Sequence, residues 1–283
     1  MQIGFIGMGN LGRAIAGRLI DCQHSVTVWN RTPGKIQGLQ VETAASPAEL
    51  AGRVEIINIC LFDSAAVHEV LTGPQGLLQG NLLGKIIIDH TTNHFREVTA
   101  FHELCAQAGA IYLEAPVLGS VVPATQGALT VLVSGKKEGF TKVEAVLAQI
   151  GKHLFHFEEP GLATKMKLIN NLTLGSFMAT LAEATAFAEA VGIDKATVLD
   201  ILNVGGGQSL VLNAKKAKLL NEDFSAHFSN SLIYKDLHCL QDLAYEQKRP
   251  LFTGAVTKEL FARAMTDEMA GLDFSSVYKL FKN

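Results

Sequence analysis

Cysteine is scarce in this chain: four residues (Cys22, Cys60, Cys105, Cys239) stand far apart among 283, with no CxxC pair and no zinc-like spacing. They read as reduced residues of a cytoplasmic protein rather than as a disulfide framework or a metal site. Excess charge is lacking too. Lys plus Arg is 24 against 27 Asp plus Glu, a net charge of −3, so no basic field is available for a nucleic acid and no charged block reads as a tail. No apolar run reaches about 18 residues, which argues against membrane spans. The opening MQIGFIGMGNLGRAI lacks a basic stretch ahead of an apolar one, and its glycines suit a structural turn better than a signal peptide. With 48% hydrophobic and 18% charged residues the chain can bury a full core, and its length allows two domains.

Two textures divide what is there. Up to about residue 157, short apolar runs alternate with stretches of helical length: IGFI (3–6), VTVW (26–29), VEIINIC (54–60), KIIID (85–89), AIYLEA (110–115), ALTVLVS (128–134) and HLFHF (153–157). Continuous rather than alternating hydrophobicity marks strands buried on both faces, as in a parallel sheet covered by helices. The intervening segments 10–21, 64–72, 93–108 and 138–150 carry helical periodicity, so residues 1–161 are predicted to form a doubly wound α/β Rossmann domain.

After Pro160-Gly161 the pattern becomes helical. Residues 162–191 hold no proline and one glycine, Gly175, in an Ala- and Leu-rich run that would make a helix about 45 Å long. Apolar on most sides, it should be buried at the centre of a helical domain or against a partner subunit, which predicts a homodimer or homotetramer. Asp194 is placed to cap the next helix, and Gly205–Gly207, Pro250 and Gly271 punctuate the rest. Residues 162–283 thus form an all-α domain.

Gly7-Met8-Gly9-Asn10-Leu11-Gly12 follows the first strand directly and opens the first helix. In that context the first glycine makes the tight turn, the second admits a pyrophosphate to the backbone, and the third lets helix and strand pack closely. The helix N-terminus adds free N–H groups and partial positive charge. A dinucleotide is the expected ligand. At the end of the second strand, where NAD-specific sites place a carboxylate, the chain has Asn30-Arg31-Thr32. A guanidinium there can clamp a 2′-phosphate, with Asn30 and Thr32 as further donors, so NADP(H) is preferred and NAD(H) is the second choice. An ordinary surface turn is the alternative for this stretch.

Four separated motifs together resemble the β-hydroxyacid dehydrogenase family, which includes 3-hydroxyisobutyrate dehydrogenases, tartronate semialdehyde reductases and glyoxylate/succinic semialdehyde reductases. They are the N-terminal Ile6–Gly12, Glu114-Ala115-Pro116-Val117-Leu118-Gly119-Ser120 with Gly127-Ala128-Leu129, Lys167-Leu168-Ile169-Asn170-Asn171, and Lys235-Asp236-Leu237 with Phe228 upstream. The Leu-Glu-Ala-Pro-Val stretch and the Phe228/Asp236 pair look most like the glyoxylate/succinic semialdehyde branch. The resemblance implies a Rossmann domain joined by a long helix to a helical one, with the site in the cleft between them. Lys167 falls on the catalytic lysine and Asn171 on its companion. Leu61, Phe62 and Thr92 would line the cofactor, and Lys235 would reach towards cofactor and substrate. The family commonly has Pro-Val-Ser-Gly, whose serine and neighbouring amides hold a substrate carboxylate. Here the serine position is Leu118, so the Gly119 and Ser120 amides remain without that hydroxyl.

The residues themselves allow this chemistry. Hydride transfer to a carbonyl leaves an alkoxide needing a proton, which a lysine with a lowered pKa can supply, and Lys165 and Lys235 are possible cationic neighbours. Lys167 and Asn171 are i,i+4 and share a helix face. The bland alternative is a lysine snorkelling to the surface. Asp236 either touches substrate or orients its helix. His90 and His94 lack a third ligand, so no metal is expected, and His153 and His156 read as structural. The substrate implied is a small carboxylate-bearing aldehyde or hydroxyacid, of succinic semialdehyde or glyoxylate type, with 3-hydroxyisobutyrate a further candidate. The competing readings are a non-catalytic dinucleotide-binding sensor or scaffold and an imine-reducing relative.

Overall fold

The computed structural model describes residues 1–38, 40–266 and 268–282. The chain divides into two compact units, Met1–Lys167 and Leu168–Asn283.

The first unit is a sheet with helices on both faces. Its strands are β1 (Gln2–Ile6), β2 (Ser25–Trp29), β3 (Glu42–Thr43), β4 (Ile56–Ile59), β5 (Ile86–Asp89), β6 (Ile111–Glu114), β7 (Val117–Leu118), β8 (Leu129–Ser134) and β9 (Gly151–Phe157). The helices between them are α1 (Asn10–Asp21), α2 (Pro47–Arg53), α3 (Ser64–Thr72), α4 (Phe95–Gln107), α5 (Val121–Thr125) and α6 (Lys137–Ile150). The strand order is β3-β2-β1-β4-β5-β6-β8-β7, with β9 added beside β8. From β3 to β6 every pairing is parallel. The order reverses direction at β1, the switch point at which open α/β sheets receive ligands.

The apolar runs are continuous because successive residues feed opposite cores. Ile3 and Phe5 of β1 join Ile15, Leu19, Val28 and Ile88 on one face. Ile6 joins Leu50, Ile57, Ile59, Val67 and Ile87 on the other. The sheet departs from the all-parallel expectation beyond β6: β8 runs antiparallel to both β6 and β7, and only β9 returns parallel to it. A parallel crossover needs a dozen or more residues, usually a full helix. The segment joining β6 to β8 holds instead the short strand β7 and the five-residue α5.

Register fixes where the loops emerge. Trp29, Ile6, Ile59, Asp89, Glu114, Ser134 and Phe157 are successive partners across the sheet. The turns after β1, β2, β4, β5 and β6 therefore leave from one edge.

The second unit is helical. Helix α7 (Leu162–Ala190) begins in the first unit, and the division into units falls inside it. Its first turn is bonded to the sheet: Ala163 N donates to Ser134 Oγ (2.7 Å) and Thr164 Oγ1 to Glu114 Oε2 (2.6 Å). Helices α8 (Lys195–Val204), α9 (Leu210–Asn221), α10 (Asn230–Glu246) and α11 (Phe252–Thr266) follow, with 3₁₀ turns over Phe274–Phe281. Asp194 caps α8 as predicted, accepting from Thr197 N at 3.0 Å.

In this single chain α7 is not buried on all sides. Leu168, Asn171, Met178, Ala182 and Thr185 form its buried stripe, while Ile169, Phe177 and Phe187 are exposed, Phe187 to 70%. Among the described residues no helix is long and apolar enough to cross a membrane.

Candidate active site

The glycine turn after β1 divides its labour as the spacing predicts. Gly7 has φ +98°, and a Cβ there would lie 2.2 Å from the Cys60 carbonyl oxygen. A Cβ on Gly12 would come within 2.0 Å of the Gly7 carbonyl oxygen and 3.2 Å of the Phe5 ring, so close packing against β1 requires glycine. At Gly9 a Cβ would meet no atom of the described residues within 4 Å. Gly9 is also the N-cap of α1 and offers no side-chain cap, and the first N–H groups of a helix have no partner within it. Tight packing behind and open space in front suit an extended phosphate group, and the residues present fit a dinucleotide.

Asn30 is turned inward. Its Oδ1 accepts from Met8 N (2.8 Å) and its Nδ2 donates to the Thr32 carbonyl (2.8 Å), so it ties the ends of β1 and β2 together. Sequence reasoning offered Asn30 as a phosphate donor; its amide is committed to loop geometry. Arg31 and Thr32 are exposed at the same strand end, and Arg13 of α1 pins the following turn through the carbonyls of Lys35 and Gln37.

The turns after β4 and β5 are laced together. Leu61 N donates to Thr91 Oγ1 (3.0 Å), Ser64 Oγ lies 3.1 Å from Asn93 Oδ1, and His94 N donates to Ser64 Oγ (2.8 Å). At their base Asp89 is fully buried and accepts from Thr91 N (2.8 Å), Asn93 Nδ2 (2.8 Å) and the Tyr112 hydroxyl (2.5 Å). Burial pushes its pKa up against the pull of those donors. Burial raises the neighbouring Cys60 thiol to about 12, with Asp89 adding to the shift, so Cys60 is no nucleophile. His90 is buried between the Ala115 carbonyl (2.9 Å) and the Asn58 side chain (3.0 Å), and desolvation lowers its pKa to about 4. It is a neutral structural histidine. Phe62 is half exposed and Thr92 partly buried on these turns.

Glu114, at the end of β6, leads into the stretch expected to face substrate. Leu118 is half-buried in β7 opposite Thr130. Gly119 follows at φ +114°, and Ser120 caps α5 without a side-chain bond.

On α7, Lys167 and Asn171 stand one turn apart and are both buried, with 7% and 0% exposure. The lysine does not snorkel. Within the helical unit, Asn171 Nδ2 donates to Asp236 Oδ2 at 2.6 Å, and Lys235 Nζ lies 2.7 Å from Asp236 Oδ1. A carboxylate only accepts, so this contact fixes which end of the Asn171 amide faces Asp236. Asp236 is itself 1% exposed and orients Asn171. Phe228 lies just ahead of α10, edge-on to Phe274 at 5.7 Å, and its N–H donates to Asp273 Oδ2. Asp273 is buried in an ion pair with Lys215 (2.8 Å). The structure thus gathers Gly7–Gly12, Asn30–Thr32, Leu61–Phe62 and Thr92 along one sheet edge, and Asn171, Lys235 and Asp236 within the helical unit. Asp89, Asn93 and Tyr112, which organise the first group, escaped the sequence reading; the only signal was a carboxylate closing an otherwise apolar strand, Ile-Ile-Ile-Asp.

Comparisons with known proteins agree with this fold. Residues 2–158 match the family described as the NAD binding domain of 6-phosphogluconate dehydrogenase. Residues 161–281 match that described as NAD-binding of NADP-dependent 3-hydroxyisobutyrate dehydrogenase. The chain is 34% identical over 280 residues to the cytokine-like nuclear factor N-PAC of Mus musculus, covering 99% of this chain and 51% of the relative, so it spans about half the length of that protein. It is 30% identical over 285 residues to glyoxylate/succinic semialdehyde reductase 2, chloroplastic, of Arabidopsis thaliana, covering 100% of this chain and 80% of the relative. A crystal structure of 3-hydroxyisobutyrate dehydrogenase from Salmonella typhimurium superposes with a TM-score of 0.92 at 25% identity, covering 99% of each chain.

Proposed function

The chain belongs to the β-hydroxyacid dehydrogenase family, and from that premise we propose that it is an NADPH-dependent reductase of small carboxylate-bearing aldehydes, of the succinic semialdehyde or glyoxylate type. The observation that carries this reading is the pair of buried polar residues one turn apart on α7, Lys167 and Asn171. A lysine ammonium can deliver a proton to a developing alkoxide, and an amide one turn away on the same helix face can orient it without adding charge.

The bound dinucleotide would supply or take up the hydride. Gly7, Gly9 and the α1 terminus would hold its pyrophosphate, the Arg31 guanidinium would take the 2′-phosphate, and Leu61, Phe62 and Thr92 would line it. Lys167 would deliver the proton to the carbonyl oxygen. Asn171, its amide fixed by Asp236, would orient the lysine or that oxygen without adding charge. The Gly119 and Ser120 amides would receive the substrate carboxylate. Leu118 contributes apolar surface where a hydroxyl is usual, which favours a substrate with methylene groups, hence succinic semialdehyde over glyoxylate. The apolar residues exposed on the helical unit, Phe187, Val204 and Leu210 among them, support self-association as a homodimer or homotetramer.

The test is NADPH oxidation over a panel of short aldehydes by the parent and Lys167→Ala. General acid catalysis contributes about 10²–10⁴-fold, so the variant should lose kcat by that order while still binding NADPH. A second reading, a dinucleotide-binding protein without turnover, draws on the 34% identity to a protein named as a nuclear factor. No turnover on any carboxylate aldehyde, with NADPH bound, would favour it.

A further inference from the structure

Gly161 precedes α7 with φ +90°, a conformation that favours glycine, so the natural capping position of this helix has no side chain. The first N–H groups of any helix lack intrahelical partners. Here the sheet supplies them. Glu114 Oε1 accepts from Gly161 N (2.5 Å), and Glu114 Oε2 accepts from Thr164 N (3.2 Å) and Thr164 Oγ1 (2.6 Å). Ser134 Oγ accepts from Ala163 N (2.7 Å). Glu114 and Ser134 are direct partners in the β6–β8 ladder and are 1% and 0% exposed. The fourth donor to the carboxylate is His102 Nε2 of α4, at 3.1 Å.

We propose that Glu114 is a positioning residue for Lys167: with Ser134 it forms a socket that seats the first turn of α7 on the sheet and so sets where the lysine stands. Lys167 follows Thr164 by three residues, close to one turn further along the helix. The same glutamate opens the segment through Ala115 and Pro116 to Leu118, Gly119 and Ser120, so one side chain references both the proton donor and the substrate-facing turn to β6. Only a carboxylate, which accepts at both oxygens, can pair all four of these donors. What four convergent donors provide is a defined location. The inference rests on the reading of Lys167 as proton donor.

Glu114→Gln keeps the volume but replaces one acceptor oxygen with an N–H₂ group, leaving at least one of the Gly161 and Thr164 N–H groups facing a donor. Displacements of about 1 Å can cost about a hundredfold in rate. The expected result is a kcat, counted per NADPH-binding site by fluorescence titration, lowered about ten- to a hundredfold with the NADPH dissociation constant unchanged. In a Lys167→Ala background the same change should lower the residual kcat no further, because there is no lysine left to misplace. If Glu114→Gln does not accumulate as folded protein, Ser134→Ala removes the Ala163 acceptor and should show the same dependence on Lys167, at a few-fold. Full kcat per site in these variants, or an equal loss with and without Lys167, would overturn the proposal. A Lys167→Ala protein that keeps its kcat would instead overturn the reading on which it rests.

Discussion

A methyl group added at Gly9 and one added at Gly12 should produce opposite phenotypes, although only two residues lie between them. At Gly9 the backbone has φ −69° and ψ −178°, open to alanine, and the new Cβ would touch nothing among the described residues. Alanine is a poorer N-cap than glycine by about 0.5–1 kcal/mol, which in a chain of this size moves Tm by about 1–2 °C. The methyl would, however, stand where phosphate oxygens must approach the α1 terminus. Losing one charge-assisted hydrogen bond costs about 1.5–3 kcal/mol, so NADPH affinity should fall roughly ten- to a hundredfold. At Gly12 the Cβ would sit 2.0 Å from a backbone oxygen, so helix and strand must separate by more than an ångström. Overpacking of that kind costs about 1–3 kcal/mol or more, and the fold should melt markedly earlier before any ligand is added. Thermal melts without ligand, followed by NADPH fluorescence titration of each folded variant, read the two effects separately. A Gly9→Ala protein that binds NADPH as tightly as the parent, or melts as early as Gly12→Ala, would refute the assignment of the open face to the dinucleotide.

Arg31→Ala should weaken NADPH roughly ten- to a hundredfold and leave NADH nearly unchanged, since only the 2′-phosphate contact is lost; equal use of both cofactors by the parent would exclude the clamp. Leu118→Ser should restore a hydroxyl donor worth about 0.5–1.5 kcal/mol and raise kcat/KM for glyoxylate more than for succinic semialdehyde. A parent that prefers an uncharged aldehyde of similar length would show the substrate class to be wrong. His90 titrates near 4 in the fold against a usual 6.5, so the unfolded chain takes up the proton first; its contribution is whole above pH 6.5 and is lost as pH falls towards 4. That amounts to about 2–3 kcal/mol by pH 4.5. Asp89, its pKa raised by burial, acts in the opposite sense. Urea midpoints at pH 7, 5.5 and 4.5 should therefore fall less steeply for His90→Gln than for the parent.

The elements most legible in the sequence were those whose pattern has one physical solution. Helix bounds 10–21 and 64–72 coincide with α1 and α3, and the strands whose neighbours cover both faces read as unbroken apolar runs. Elements stabilised mainly by their surroundings did not stand out. Strand β3 has two exposed residues, and β7 two residues after a proline. Helix α2 is seven residues long, started by Ser46 accepting from Glu49 N, a capping signal that its short span obscured. Helix α7 is apolar on most sides, and one chain covers a single stripe of it, leaving Phe177 and Phe187 outside. Composition reports how much surface must be covered and is silent on which molecule covers it.

At the candidate site, the residues proposed to meet ligand stand out in the sequence and those that hold their loops do not. Gly7 and Gly12 are recognisable because close approach of neighbouring backbone admits only glycine there, and Gly9 because it completes the spacing and leaves open space before the helix terminus. Asp89 and Glu114 end neighbouring apolar strands as direct register partners and look in sequence like polar punctuation at a strand boundary. Their roles depend on donors 12 to 50 residues away for Glu114 and up to 23 away for Asp89, distances no local pattern encodes. A rule does follow from their shared setting. In a doubly wound sheet the last residue of an interior strand sits at the ligand-bearing edge with helices over both faces, so a carboxylate there must be bonded by the loops themselves or be prohibitively exposed to a low dielectric. Both carboxylates obey it, Asp89 taking the β5–α4 turn and Glu114 taking the α7 terminus. A buried acid closing an apolar strand is therefore itself a pointer to the loops that must be held still, and in this chain those loops bear Thr92 on one side and lead to Lys167 on the other.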